Sequence, residues 1–262
     1  LSKNKLLLTQ YSSLSTHHFF MSLYAYCLSD DVTGSMLEGV AGVAGAVPRL
    51  VACGAIAAVV SDFEGERVAV ERESVFGHER VVQRVLRQVT PLPFRFGTLV
   101  TEGQLESYVE ANRETLMKSM ERVRGSVEMS VKIIWSAEEV RRESEKTKSA
   151  GAATQEDVPQ ASGKGTAYLA ARRREIMGDK LLKERAEELA AWLSERIGEA
   201  ANDREVQVRP DKSLVVRAAF LVERERLHDY QEKVEEARAS RASLRFLTSG
   251  PWPPYSFSNI NP

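Results

Sequence analysis

Apolar positions along this chain recur first at every second residue and then at every third or fourth, and the changeovers mark its elements. Residues 22–28 (Ser-Leu-Tyr-Ala-Tyr-Cys-Leu) are aromatic and apolar and run into Ser29-Asp30-Asp31, as in a buried strand entering a turn. Residues 51–61 carry a second strand signal, interrupted at Gly54 by a tight hairpin or bulge. Gly39, Gly42 and Gly45 recur every third position without the spacing or preceding strand of a dinucleotide loop, and predict a flexible connection. From 73 to 89 the period lengthens, placing Val75, His78, Val82, Val85, Leu86 and Val89 on one helical face. Pro91 and Pro93 end that helix and force extension. Leu92, Phe94 and Phe96 then share one side of a strand, with Arg95 on the other. Thr101 and Gln104 fit a capping box. The helix they open is expected to run to about Arg124, with Leu105, Tyr108, Val109, Leu116, Met120 and Val123 inward.

The second half repeats these signals in a clearer order. Residues 126–135 alternate and are rich in Val and Ile, which predicts a strand. Residues 146–163 contain almost no large apolar side chain and cannot offset their ordering entropy by burial, so a mobile loop is expected there. A long helix follows from about 166 to 198, with Leu169, Ile176, Leu181, Leu189, Trp192, Leu193 and Ile197 inward. Residues 206–208 alternate, Pro210-Asp211 turns the chain, and 214–222 form an apolar run suited to a central strand. Leu227, Tyr230 and Val234 give the next helix a narrow stripe, and residues 244–247 close the sheet. From Ser126 the order is strand, helix, strand, strand, helix, strand, the ferredoxin-like βαββαβ pattern with helices on one face of an antiparallel sheet. The expected fold class is α+β in two domains, 21–125 and 126–262.

Composition narrows the functions available. The chain has 262 residues, 28% of them charged, with a formal net charge of −1. No basic face of the kind nucleic acid requires is evident. Arg172-Arg173-Arg174 point in different directions on a helix and read as solvated surface. No run reaches the ~20 apolar residues of a membrane span. Cys27 and Cys53 have neither metal nor disulfide spacing; they are expected in the core of a protein from a reducing, cytoplasmic compartment. Residues 1–20 start without Met, are rich in Ser and Thr, and are expected to be a leader outside the fold.

Catalytic equipment is sparse. His78-Glu79 begins like a zinc-protease motif, but Val82 occupies the second ligand position, so His78 is expected to be a core-edge histidine bonded to a neighbour. Beyond 1–20 only His228 remains besides His78. Gly163-Lys164-Gly165-Thr166 departs from a phosphate loop at Val158, where glycine is required, and at Gly165, where Ser or Thr would bind magnesium. We therefore expect no enzyme, cofactor or metal. The alternative is an enzyme or ligand-binding module on a ferredoxin-like scaffold.

The most specific signal lies near the end. Gly250-Pro251-Trp252-Pro253-Pro254-Tyr255-Ser256-Phe257 carries three prolines, which predict a stiff, polyproline-like tail that is neither helix nor central strand. Trp252, Tyr255 and Phe257 are costly to leave in water. They either strap the tail onto its own domain or form a docking surface. Arg95, between Phe94 and Phe96, has the planar fork for a carboxylate, either within the fold, the plainer reading, or on a partner. With Pro93-Phe94-Arg95-Phe96-Gly97-Thr98 and Gly165-Thr166-Ala167-Tyr168-Leu169, this tail resembles the GvpF/GvpL family of gas-vesicle proteins over about 21–257. The resemblance implies two α+β domains, the C-terminal one a modified ferredoxin fold. It also implies an accessory or minor structural protein of gas vesicles that binds the hydrophobic major shell protein and keeps it from aggregating during assembly. Other accessory proteins and a second copy of the chain are further implied partners. Arg95, Phe96, Trp252, Tyr255 and Phe257 are the partner-binding candidates.

Overall fold

The computed structural model describes residues 22–136, 180, 183–210, 213–258, 260 and 262. The expected leader, the low-complexity stretch at 146–163 and the first part of the long helix lie outside them. Two antiparallel sheets divide the protein. The first has β1 (Ser22–Ser29) between β3 (Ile56–Phe63) and β4 (Leu92–Pro93), with β2 (Arg49–Cys53) at one edge and β5 (Leu99–Val100) also paired to β1. The hairpin between β2 and β3 turns at Gly54, as expected.

Both faces of this sheet are covered, which is why β1 reads as an unbroken apolar run. Tyr24, Tyr26 and Cys27 pack with Val81, Val82 and Val85 of α1 (Arg72–Leu86), while Leu23, Ala25 and Leu28 pack with Leu105, Leu116 and Met120 of α2 (Glu102–Ala111) and α3 (Arg113–Val123). The capping box forms between Thr101 and Gln104. The single helix expected from there is two. Asn112 leaves helical geometry and its side-chain amide donates to the Tyr108 carbonyl at 2.8 Å, a local bond that competes with the helix.

Three further expectations are corrected here. Val75 faces outward, because the buried stripe of α1 begins at Gly77. Phe96 does not share a side with Leu92 and Phe94: β4 ends at Pro93 and the chain turns at Gly97, so Phe96 packs with Tyr24 and His78 on the α1 face. The glycine-rich connection is ordered in two short 3-10 turns packed on α1. A Cβ on Gly77 would lie 2.7 Å from the Gly42 carbonyl oxygen, so the absence of a side chain lets helix and turn touch. Of the cysteines, Cys27 is buried and Cys53 only half-buried; both are free.

The second sheet has the order β7-β8-β6-β9, comprising β6 (Ser126–Ser136), β7 (Asp203–Pro210), β8 (Ser213–Glu223) and β9 (Arg245–Trp252), all pairs antiparallel. The run at 214–222 is thus central, as its composition predicts. Helix α4 (183–198) and α5 (Leu227–Ser240) cover one face, burying Leu189, Leu193, Ile197, Tyr230 and Val234 against Val131, Ile133, Val216 and Phe220. Among the described residues, the opposite face meets the first unit at one end, where Leu221 enters the core beneath α2 and α3 with Ala219 packed beside it.

Candidate functional site

Burial along β1 brings two tyrosines against the inner face of α1, and burial without a hydrogen-bond partner would cost each hydroxyl on the order of 1–3 kcal/mol. Both find partners. Tyr26 Oη lies 2.9 Å from Ser61 Oγ and accepts from the Val43 N–H at 2.9 Å. Tyr24 Oη accepts from the Gly97 N–H at 3.1 Å and lies 2.8 Å from His78 Nδ1. His78 Nε2 lies 3.0 Å from Tyr255 Oη, so the neutral ring donates through one nitrogen and accepts through the other, one facing each tyrosine. Tyr255 belongs to the proline-aromatic tail, 177 residues away in sequence.

The tail itself corrects the expectation of an extended polyproline segment. Strand β9 runs on through Gly250 and Pro251 to Trp252, paired with β6, where the prolines are tolerated because β9 is an edge. Gly250 sits where a Cβ would approach the Glu128 carbonyl oxygen to 2.9 Å. After Trp252 the chain turns: the N–H groups of Phe257 and Ser258 both donate to the Pro254 carbonyl, at 3.1 and 2.9 Å. This turn presents Ser256 to the buried carboxylate of Glu128, which accepts from its N–H at 2.7 Å and its hydroxyl at 2.8 Å. Phe257 and Ile260 then enter the core of the first sheet, with the Arg122 guanidinium over the Phe257 ring at 5.7 Å. The last residues of the second unit thus complete the first.

Burial sets the electrostatics of this cluster. It lowers the His78 pKa to about 4, and raises those of Tyr24, Tyr255 and Cys27 far above their ordinary values. The charges of Glu79 and Glu128 push Tyr255 up further. Glu128 is also raised by burial, with the two Ser256 bonds opposing the shift. At neutral pH the histidine and tyrosines are therefore uncharged, and both imidazole nitrogens are occupied in holding α1, β1 and the tail together. Nearby, an exposed ion pair of Arg122 with Asp203 joins the two units, and within the first Arg124 pairs with Asp30, Asp31 and Glu121.

The five candidate residues separate. Phe257 is buried in the fold, Tyr255 is half-buried with its hydroxyl on His78, Phe96 is half-buried, and Arg95 and Trp252 are exposed. The internal ion pair expected for Arg95 does not form among the described residues, because the turn at Gly97 carries its side chain outward. Trp252 is 38% exposed at the sheet edge, its Nε1–H donating to Ser249 Oγ at 3.1 Å. Sequence reasoning finds His78 bonded to neighbours, as expected, but misses Glu128. That residue occupies the polar phase of an alternating strand, and only the tail's return buries it. Among the described residues, no group of three or more His, Cys, Asp or Glu side chains is arranged to hold a metal, and no helix is long and apolar enough to cross a membrane.

Fold and site define a two-sheet α+β protein whose buried polar groups fasten its own tail and which leaves Trp252 and Arg95 on the outside. The chain belongs to the gas vesicle synthesis protein GvpL/GvpF family, which it matches over residues 22–259. It is 27% identical to gas vesicle protein L of a Streptomyces species over 263 aligned residues, covering 90% of this chain and 92% of that protein. It is also 27% identical to gas vesicle protein F2 of Halobacterium salinarum, covering 91% and 93%. The crystal structure of GvpF from an Anabaena species superposes with a TM-score of 0.74 at 18% identity, over 92% of this chain and 97% of that one. GvpF from Microcystis aeruginosa gives 0.73 at 16% identity, over 92% and 100%.

Proposed function

We propose that this protein is an accessory protein of gas vesicles that acts during assembly and nucleation, binding the hydrophobic major shell protein and limiting its aggregation. The observation that carries this reading is the family match across nearly the whole described chain, from the first strand to the tail. The commitment of His78 and Tyr255 to each other supports a role based on surface contact and not on covalent chemistry. The second sheet, with its βαββαβ order and strand sequence β7-β8-β6-β9, is read as the modified ferredoxin-like domain of that family. Of the tail aromatics, Trp252 is the one left for a partner, and Arg95 is the exposed candidate of the first unit. Other gas-vesicle accessory proteins and a second copy of this chain are further partners in this reading, and the gas vesicle within the cytoplasm is its site of action.

Co-expression tests it. With the full chain tagged and the major shell protein expressed at equal level, the shell protein is expected to stay soluble and co-purify. Trp252→Ser is expected to lower its recovery severalfold while leaving the fold intact. A shell protein that precipitates alone beside soluble tagged chain overturns the reading.

A further inference from the structure

Among the described residues, the second sheet is covered by helices on one face, while Gln207, Arg217, Arg245 and Leu247 on the other are exposed. Cross-strand register places Lys132 of β6 directly opposite Arg217 of β8 on one side and Leu247 of β9 on the other, with Gln207 of β7 beyond Arg217. Arg245 stands two residues along β9, opposite Ile134. All belong to the phase that points away from Val131, Ile133, Val216 and Phe246, which face the helices. Arg217 and Arg245 are exposed and Lys132 is half-buried, and none of the three has an ion pair among the described residues.

Like charges directly opposite one another destabilise a sheet. Several other surface cations are matched: Arg49 with Asp62, Arg122 with Asp203, Arg124 with Asp30 and Asp31. Here the carboxylate closest in register, Glu205 on β7, is held by Gln207 Nε2 at 3.1 Å. Beside the cations, Leu247 is 41% exposed and Ile134 half-buried, so the face combines uncompensated positive charge with apolar surface.

We propose that this open face is the docking site for an acidic amphipathic segment of a partner protein, with apolar side chains seated on Leu247 and Ile134 and carboxylates on Lys132, Arg217 and Arg245. The two arginines offer forked donors that match carboxylates bidentately. A protein segment fits better than nucleic acid, because base recognition on such a sheet needs rings to stack on. Among the described residues, the exposed ring of this sheet, Trp252, stands at the far end, opposite Glu128, with its Nε1–H engaged. This partner differs in chemistry from an apolar shell protein, and the proposal stands whether or not the shell protein binds.

The test uses the full chain and a labelled helical peptide with one leucine face flanked by glutamates, read by fluorescence anisotropy. The same peptide with lysines in place of glutamates, and a single-stranded oligothymidylate, serve as competitors. Saturable binding of the glutamate peptide that weakens with added salt is expected. Lys132→Glu with Arg217→Glu should weaken it at least tenfold, and Lys132→Gln with Arg217→Gln severalfold. Circular dichroism and the unfolding midpoint report folding for each variant, and where the reversed pair does not fold the glutamine pair decides. An unchanged affinity in the folded variants, equal binding of the lysine peptide, or stronger competition by oligothymidylate overturns the proposal.

Discussion

Both sheets bury tyrosine against a helix, and they treat the hydroxyl in opposite ways. In the first unit, the hydroxyls of Tyr24, Tyr26 and Tyr255 all have partners, drawn from β3, α1, the 3-10 turn at Val43, the turn at Gly97 and the far end of the chain. In the second, Tyr230 of α5 packs against the Phe220 ring at 5.8 Å between centroids, and its buried hydroxyl has no partner among the described residues. The second core is held by apolar packing between sheet and helices that are close in the local topology. The first needs polar groups to meet across long sequence separations, and a satisfied polar network fixes one arrangement more strictly than apolar contact does. Hence the tail is a structural member of the first unit although the chain reaches it only after building the second.

The largest effect should come from removing the tail's anchor. Phe257 is 5% exposed in the first core, and Phe257→Ala is expected to cost about 3–5 kcal/mol in urea unfolding, the usual range for a phenylalanine lost from a packed interior. A cost below about 1 kcal/mol would show that the tail merely lies on the first unit.

Next in size is a dependence on pH that belongs to the first unit. Burial puts the folded-state pKa of His78 at about 4, below the ordinary 6.5, so the unfolded chain takes up the proton first. The stability contributed by neutral His78 is complete above pH 6.5, declines as pH falls towards 4, and levels off below that. Over this window the loss amounts to roughly 3 kcal/mol. Glu128 acts with the opposite sign: burial raises its pKa, so its contribution is present at low pH and declines as pH rises through the raised value. The two are separated by difference. The stability advantage of the unsubstituted chain over His78→Gln should shrink between pH 6.5 and 4, and parallel curves would remove His78 from the account.

The same contrast explains what was legible in the sequence. Strands 126–135, 206–208 and 214–222 announce themselves through alternation or apolar runs, because one core in the second unit dictates one buried phase. The capping box at Thr101 and the hairpin at Gly54 are local chemistry and read equally well. What escaped notice depends on distant closure. Phe96 changes faces because the chain turns at Gly97, the 102–124 helix breaks because Asn112 bonds back to Tyr108, and Glu128 looks solvated until Ser256 arrives 128 residues later. The aromatics of the tail were rightly singled out as costly to expose, but strap and docking surface are distinguished only by the partners the fold supplies. Tyr255 and Phe257 turn inward, and Trp252 remains on the edge strand.

The finest test of the comparison is a pair of identical chemical changes, Tyr255→Phe and Tyr230→Phe. Each removes one oxygen and keeps the ring. In the first unit the change leaves Nε2 of His78 buried without its hydrogen-bond partner and should destabilise by about 1–2 kcal/mol. In the second it removes a hydroxyl that has no partner, while the ring keeps its packing on Phe220, and should stabilise by up to about 1 kcal/mol. Unfolding of both variants in urea at pH 7, followed by the same probe, gives the two signs directly. If both changes cost the same, the hydroxyl of Tyr230 is as well satisfied as that of Tyr255, and the difference between a polar and an apolar core disappears with it.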